Sequence, residues 1–176
     1  MNSFFLNFPI LKTSRLLLRN ATLADTNAIF ELRSSEEINK FIATKRIKNK
    51  LEASNFILLC NFLFIQKKRI FWLLEFKTQV IGSIVLHNIS LKNKYAEIGY
   101  KLKPEFQHKG FMSEALQEII DFSFKKMLLI EIEAFTHKNN LASIALLQKH
   151  LFVLQKNKID YKVINNQIWQ LTTNKL

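Results

Sequence analysis

Hydrophobic residues recur along this chain at two spacings, and the change from one spacing to the other predicts a mixed order of strands and helices. Apolar side chains at every second position indicate strands, and those at every third or fourth position indicate helices. The predicted strands cover residues 15–19, 69–76, 80–89, 94–102, 129–135, 152–157 and 167–172. The predicted helices begin after Thr22, near Ser34, at Asn49, after Gly110 and at Asn139.

The order strand, helices, three strands, helix, strand, helix, two strands is that of an α/β (α+β) domain with one central mixed sheet. Residues 94–136 form a strand–helix–strand unit, so their two strands should lie parallel, joined by a right-handed crossover. No repeat and no linker rich in Pro, Gly or Ser interrupts the chain. We therefore expect a single domain over residues 1–176.

The chain is strongly basic, with a formal net charge of +12 from 26 Lys and Arg against 14 Asp and Glu. Such a charge is found in nucleic-acid-binding proteins and in proteins that attract anionic ligands. The basic residues are dispersed, and no zinc, RNA-binding or recognition-helix motif accompanies them. The sequence therefore predicts no specific nucleic-acid partner, and a nucleic-acid role would show itself by steeply salt-dependent binding.

The single cysteine, Cys60, excludes an internal disulfide and favours a reducing, cytoplasmic setting. It lies in the apolar run 56–65, which predicts a buried hydrophobic residue rather than a nucleophile. That run is too short to span a bilayer. Residues 1–15 have no basic segment before their apolar part, so we expect neither a signal peptide nor a membrane partner.

The stretch "EFQHKGFMSEAL" contains one of only three glycines in the chain, Gly110, between a predicted strand and a predicted helix. The first turn of a helix has backbone N–H groups without intrahelical partners, and these attract anions. Gly110 lets a ligand approach the backbone closely, and His108 and Lys109 add donors. Alone, the stretch favours an ordinary basic turn over a phosphate-binding loop. It has too few glycines for a Walker loop or a dinucleotide fingerprint.

Several linked motifs place this stretch in a wider pattern. "QHKGFMSEAL" after "EIGYKLKPEF", together with "IGSIVLHNI" and "NNLASIALLQKHLF", resembles the GNAT N-acetyltransferases, and most closely their Rim-type branch, which acetylates the N-termini of ribosomal proteins. The resemblance is collinear from Leu11 to Phe152. It implies a GNAT-like fold with helices on both faces of the sheet and a parallel strand pair that splays beside residues 99–102.

The resemblance also implies acetyl-coenzyme A as the acyl donor and assigns a loop to it. The loop amides that would hold its pyrophosphate belong to Gln107, His108, Lys109, Gly110, Phe111 and Met112. The backbone of Leu102 would meet the pantetheine and the thioester carbonyl, where its N–H can act as an oxyanion donor. Asn140 would bond the pantetheine amides, and Ser143, on the same helix face, would also contact the cofactor.

Direct acetyl transfer needs a neutral amine, a stabilised oxyanion and a proton for the leaving thiolate. Glu97 is the candidate base, and its alternative interpretation is a solvated carboxylate on a strand. Glu114 is a competing carboxylate, although its place at a helix start favours capping. Ser143 is the candidate acid for the thiolate. The alternative for Asn140 and Ser143 is ordinary helix capping.

Three positions depart from the family pattern. Met112 replaces a frequent Gly or Ala, Leu147 stands where many members have a Tyr, and Leu151 stands where a Gly usually precedes a Phe. If the backbone is left-handed at Leu151, a residue with a Cβ costs on the order of 1 kcal/mol or more there. The loss of the Tyr shifts the role of acid to Ser143 or to water.

The remaining candidates are weak, and the acceptor stays open. His87, His137 and His150 lack metal-ligand spacing, so we expect surface or structural roles and no metal site. The acceptor suggested by the resemblance is a protein or peptide N-terminus. A small amine, such as an antibiotic or a polyamine, and a non-catalytic coenzyme A-binding module are the alternatives. We expect a monomer or a homodimer.

Overall fold

The computed structural model describes residues 5–175 and shows one eight-stranded sheet with the order β1-β2-β3-β4-β5-β6-β8-β7. All neighbouring strands are antiparallel except β5 and β6. The strands are β1 (Leu11–Lys12), β2 (Leu17–Asn20), β3 (Ile70–Phe76), β4 (Gln79–Ser90), β5 (Tyr95–Leu102), β6 (Glu131–His137), β7 (Val153–Leu154) and β8 (Asn166–Thr172).

Five α-helices accompany the sheet within these residues. They are α1 (Thr26–Ser34), α2 (Glu36–Asn39), α3 (Lys50–Ile65), α4 (Phe111–Asp121) and α5 (Leu141–Lys149). The predicted mixed α/β architecture is thereby confirmed. The predicted single domain includes residues 1–4 and 176, which lie outside the described residues.

Several element boundaries differ from the prediction. The strand predicted for residues 152–157 pairs only at Val153–Leu154. The strand predicted to start at residue 129 starts at Glu131, because the N–H groups of Ile130 and Glu131 both bond the Lys94 carbonyl at 2.8 and 3.3 Å before regular pairing begins. The helix predicted to begin after Gly110 ends in a π-helical turn at Phe122–Lys126.

The start of the first helix also differs in detail. Thr22 precedes a 3-10 turn, Leu23–Asp25, and α1 follows it. At the N-terminal end of α1, the Asp25 carboxylate is the hydrogen-bond acceptor. It accepts the Thr22 N–H at 2.8 Å and two hydrogen bonds from Arg19 at 2.8 and 3.0 Å. Desolvation opposes ionisation of Asp25, but the bonds from Arg19 and Thr22 outweigh it and lower the pKa of the carboxyl.

The helices cover both faces of the sheet, and each face has its own core. Helices α4 and α5 pack on the face that carries Ala96 and Ile98 of β5. Helices α1 and α3 pack on the opposite face of β3 and β4, where Cys60 is buried among apolar side chains. Desolvation raises the pKa of the Cys60 thiol. The prediction that Cys60 is a buried hydrophobic residue is confirmed.

The parallel pair β5–β6 separates partway along its length. The register runs from Tyr95↔Glu131 to Ile98↔Ala134. Beyond that point β5 continues to Leu102 beside β4, and β6 continues to His137 beside β8. A gap therefore opens between residues 99–102 and 135–137, and the predicted parallel, splayed pair is confirmed. Within residues 5–175, the helices are too short or too polar to cross a membrane.

Leu151 occupies a left-handed position directly after α5, with φ of +63°. The Phe152 N–H donates to the Leu147 carbonyl and the Leu151 N–H to the Gln148 carbonyl, both at 3.0 Å. These two bonds form a Schellman motif, in which the position of Leu151 favours glycine. The buried pair Phe152 and Leu147 adds the apolar contact that accompanies this motif. Of the two possibilities at Leu151, the structure has the left-handed backbone, which a residue with a Cβ adopts only with strain.

Leu151→Gly is expected to raise the free energy of unfolding by about 0.5–1 kcal/mol, because it removes Cβ strain that exceeds the entropy cost of glycine. The side chain is 53% exposed, so its loss removes little buried area. The melting temperature should rise by about 1–4 °C. Leu151→Ala is the control, since alanine keeps the Cβ, and a glycine variant no more stable than the alanine variant would contradict the strain.

Candidate active site

Gly110 gives α4 an N-terminus without a side-chain cap. It is the N-cap residue, its φ is +79°, and no side chain at that position bonds the first turn. The first N–H groups of α4 therefore point outward, as an anion site requires. Most residues are strained at this φ, so glycine is needed here for its backbone conformation. His108, with φ of +58°, is a second left-handed residue in the same turn.

Arg15 holds this loop from outside. Its Nη1 donates to the Lys109 carbonyl at 3.0 Å, and its guanidinium lies 4.3 Å from the Phe111 ring centroid. Its Nε donates to Glu114 Oε2 at 2.6 Å. The arginine thus ties the loop to the first turn of α4. Reasoning from the sequence missed Arg15, because 94 positions separate it from Lys109.

Glu114 anchors the segment before β2 to α4. Its Oε1 accepts hydrogen bonds from the Arg15 N–H at 2.8 Å, from Ser14 Oγ at 3.0 Å and from Thr13 Oγ1. Burial opposes ionisation, but the bonds from Thr13, Arg15 and Ser14 outweigh it and lower the pKa of Glu114 to about 2. A carboxylate so stabilised is a weak proton acceptor, and its bonds go to residues 13–15 instead of the first turn of α4, so the structure favours an anchoring role over a cap or a base.

The other side chains of the loop contribute little that a ligand could use. Phe111 and Met112 are buried in the core, so only their backbone faces outward. Lys109 Nζ folds back to the Glu105 carbonyl at 2.6 Å. Gln107 Nε2 donates to the Leu102 carbonyl at 3.2 Å, which links the loop to the end of β5. The loop can therefore act mainly through its backbone amides.

The Leu102 backbone faces the gap between β5 and β6. The Lys103 N–H donates to the Ile81 carbonyl at 2.9 Å, and Leu102 lies opposite Gly82. In an antiparallel ladder this pattern makes Gly82 and Leu102 a non-hydrogen-bonded pair. The Leu102 N–H consequently points away from β4 and into the gap.

Asn140 and Ser143 lie together at the start of α5, next to a tyrosine from β5. Asn140 is the N-cap, and its Oδ1 accepts the Ser143 N–H at 3.2 Å. The Ser143 hydroxyl is 2.8 Å from the Tyr100 hydroxyl. Desolvation raises the pKa of Tyr100 to about 12, although the bond to Ser143 lowers it. The capping interpretation of Asn140 holds, and the Ser143 hydroxyl has a phenolic partner.

Tyr100 was missed by reasoning from the sequence, although it lies two positions after Ile98 in β5 and therefore shares its face. Leu147, which stands at the usual tyrosine position, is fully buried in the core of this face. The phenol on this side of the gap therefore comes from β5 instead of α5.

Glu97 lies in the paired part of β5, on the face that carries α1 and α3. Its Oε1 accepts from Asn88 Nδ2 at 2.9 Å and from the Tyr95 hydroxyl at 3.3 Å, and its Oε2 is 3.6 Å from His87 Nδ1. The side chain is 20% exposed. Glu97 is thus held in a polar cluster and keeps access to solvent.

The second carboxylate of this cluster, Glu133, is paired with a lysine. Glu133, opposite Glu97 in the parallel pair, accepts from the Tyr95 hydroxyl at 2.9 Å and forms an ion pair with Lys158. Desolvation lowers the pKa of His87, while the charge of Glu97 raises it.

The remaining histidines have structural contacts. His150 is buried, and its ring joins two residues of α4, with Nε2 2.9 Å from Ser113 Oγ and Nδ1 3.2 Å from Gln117 Oε1. Because Gln117 Oε1 can only accept, the His150 proton lies on Nδ1 and Ser113 donates to Nε2. His137 stacks on Phe41 with ring centroids 5.5 Å apart.

Comparisons with known proteins agree with this geometry. Residues 15–153 match the family described as the acetyltransferase (GNAT) domain. The uncharacterized N-acetyltransferase YoaA of Bacillus subtilis is 34% identical over 144 residues, which is 81% of each chain. RimL, a ribosomal L7/L12 alpha-N-protein acetyltransferase solved with coenzyme A, superposes with a TM-score of 0.84 at 18% identity, over 96% of this chain and 100% of that one.

A second solved neighbour is the microcin C7 self-immunity acetyltransferase MccE in complex with acetyl-CoA and AMP. It has a TM-score of 0.79 at 23% identity, covering 90% of this chain and 93% of its own. The predicted enzyme class, an N-acetyltransferase with acetyl-coenzyme A as acyl donor, is confirmed. With its family match over residues 15–153, the chain belongs to the GNAT acetyltransferases.

Proposed function

We propose that the protein acetylates the primary amine at the N-terminus of a protein or peptide, with acetyl-coenzyme A bound along the gap between β5 and β6. The observation that carries this proposal is the placement of the uncapped, glycine-headed α4 N-terminus next to that gap. Support for a peptide acceptor comes from the structural likeness to RimL, whose name states that it acetylates a ribosomal protein.

The residues present fit the donor. The amides of the first turn of α4, shaped by Gly110 and held by Arg15, suit a pyrophosphate. On β6, Thr136 lies in the separated part of the pair and is 5% exposed, with a buried hydroxyl that has no partner within residues 5–175. A buried hydroxyl is costly without a hydrogen bond, and an amide of a pantetheine arm in the gap would supply one.

Three groups of the chain would act on the acetyl thioester that the donor supplies. The Leu102 N–H would donate to the developing oxyanion. The Ser143 hydroxyl would give its proton to the leaving sulfur as Ser143 Oγ takes the Tyr100 proton, and solvent would return a proton to the phenol. The Tyr100 hydroxyl, by donating to Ser143 Oγ, would turn the serine proton outward.

The proposed function is tested by thermal stabilisation and by thiol release. Acetyl-coenzyme A at about a hundred times its Kd should stabilise the fold by about 2.7 kcal/mol, or about 5–10 °C. Thiol release should follow with peptides that have a free N-terminus. Gly110→Val should lose most of the thermal shift, because a β-branched residue is strained at φ of +79°.

The acceptor panel decides between the alternatives. Peptides with free and blocked N-termini should be compared with spermidine and with an aminoglycoside. The positive charge of the chain disfavours a polycationic acceptor by long-range repulsion. Stabilisation without thiol release from any amine would favour a coenzyme A-binding module, and the absence of stabilisation would refute both functions.

Glu97→Gln is expected to lower kcat/KM by about 10²-fold and to abolish the acidic limb of its pH profile, because the amide cannot accept a proton from the amine. Binding of acetyl-coenzyme A should not change. Glu133→Gln is the matched control, since it alters the same Tyr95 contact and leaves the Glu97 carboxylate in place. A pH profile unchanged by Glu97→Gln would remove Glu97 as the base.

The predictions of a cytoplasmic location, of a monomer or homodimer and of no specific nucleic-acid partner stay predictions. Salt-dependent binding of DNA or RNA that acetyl-coenzyme A does not displace would contradict the last of these.

A further inference from the structure

Three cations lie on the face of the sheet opposite α4 and α5 without a carboxylate partner among residues 5–175. Lys101 is on β5, Arg33 is in the last turn of α1, and Arg69 directly precedes β3. The cross-strand pair Ser83↔Lys101 puts Lys101 on the same face as the pair His87↔Glu97. Half-buried charges are normally paired, so this group is unusual.

The contacts of the two arginines leave hydrogen-bonding capacity unused. The Arg33 guanidinium lies 3.8 Å from the Phe56 ring centroid, and Arg69 Nη1 contacts Cys60 Sγ at 3.8 Å. In both side chains the Nε atom is buried and has no hydrogen-bond partner within the described part of the chain. Desolvation lowers the pKa of Arg33, and the charge of Arg69 lowers it further. An anion near the two guanidinium groups would relieve the repulsion between them.

Lys101 extends the same positive region towards the gap. Its ammonium donates to Asn39 Oδ1, and the Asn39 amide is fixed by the Leu32 and Ser35 carbonyls at 3.0 and 2.7 Å. Desolvation and the nearby charge of Arg33 lower the pKa of Lys101 to about 7. Asn39 provides a neutral acceptor only, so the positive charge of Lys101 is not balanced by it.

Gly99 leaves room for about a methyl group beside Lys101, close along β5 to Leu102 at the end of the gap. A Cβ added to Gly99 would meet only Val85 Cγ1 at 3.5 Å and His87 Nε2 at 4.0 Å. Leu102, whose N–H faces the gap, directly follows Lys101. A group bound at Gly99 would therefore have the proposed thioester site on one side and the cations on the other.

We propose that Arg33, Arg69 and Lys101 bind an acidic side chain of the acceptor, so that the preferred substrate is a peptide with carboxylates directly after its N-terminal residue. This inference rests on the proposed function and names its substrate class. A carboxylate there would pair with Lys101 or Arg33, while the Glu97 cluster would face the amine. Glu133 does not compete for the cations, because Lys158 already neutralises it.

The test measures binding and turnover separately. Hexapeptides that begin with serine, followed by aspartate and glutamate or by asparagine and glutamine, are titrated by calorimetry into the protein with coenzyme A present. The acidic peptide should bind at least about tenfold more tightly, as expected for one charge-assisted hydrogen bond. Lys101→Met and Arg33→Met should each remove most of that preference, whereas Lys92→Met, at an exposed turn, should keep it.

Thiol release from acetyl-coenzyme A is recorded with the same peptides. Charge-dependent binding without thiol release would support an acidic-peptide binding site at these cations and remove the proposed function. Thiol release with equal affinity for both peptides, or a preference that survives Lys101→Met, would overturn the inference alone. Phosphoethanolamine serves as the phosphate-bearing amine, and its binding in place of the acidic peptide would also overturn the inference.

Discussion

Replacing Ser143 by alanine is expected to lower kcat by about 10²–10⁴-fold, the range that general acid catalysis contributes. The Asn140 cap accepts the Ser143 backbone N–H, which alanine keeps, so α5 should start at the same residue. Thermal stabilisation by acetyl-coenzyme A should therefore stay within about 1 °C of the wild type. The measurement is steady-state thiol release with a reactive peptide, together with a thermal shift. A kcat within about threefold of the wild type would show that water protonates the sulfur instead.

Tyr100→Phe tests whether the Tyr100 hydroxyl contributes to catalysis by positioning Ser143. The Tyr100 hydroxyl lies 2.8 Å from Ser143 Oγ, and its pKa of about 12 keeps it protonated at neutral pH, so it can donate to Ser143. We expect kcat to fall by about tenfold in Tyr100→Phe, and by nothing further when Tyr100→Phe is added to Ser143→Ala. Equal losses in both backgrounds would mean that the phenol acts independently of Ser143.

The strands and helices followed from local patterns, but some of their boundaries depend on bonds that those patterns do not show. Alternation in β5 and the glycine before α4 depend on neighbours within a few positions, so the sequence predicted them. The π-helical turn after α4 and the late start of β6 depend instead on bonds such as the one from Ile130 to the Lys94 carbonyl. Leu151 has a left-handed backbone although leucine disfavours it, and the resemblance, in which glycine is usual at this position, raised that possibility without deciding it.

The backbone groups of the candidate site could be predicted from the sequence. The turn positions the loop amides, and the strand register positions the Leu102 N–H. Both the turn and the register could be predicted from hydrophobic patterns and from the resemblance. Side-chain partners were missed when they come from distant parts of the chain, as Arg15 does for the loop and Asn39 for Lys101. A single sequence does not show which side chains 62 to 94 positions apart come into contact in the fold.

Glu114→Gln is expected to lower the free energy of unfolding by about 2–3 kcal/mol at pH 7, because the amide cannot replace a carboxylate that accepts several bonds and pairs with Arg15. The Glu114 side chain is 17% exposed, so solvent screens this ion pair only in part. The melting temperature should fall by about 4–12 °C. The same change frees Arg15 from one of its two anchors, so the KM for acetyl-coenzyme A should rise while kcat changes little.

The pH dependence of the free energy of unfolding tests the role of Glu114 most directly. The pKa of Glu114 is lowered to about 2 in the folded protein, below the 4.5 of the free carboxyl, so its contribution is complete above about pH 5 and is lost as the pH falls towards 2. The wild type should therefore lose stability over this range more steeply than Glu114→Gln. Asp25, whose pKa is also lowered, leaves a residual slope in both proteins. Glu36→Gln is the matched control, since that side chain is 86% exposed and its substitution should leave stability and slope unchanged. Parallel acid-unfolding curves for wild type and Glu114→Gln would show that the anchor does not stabilise the fold as a carboxylate.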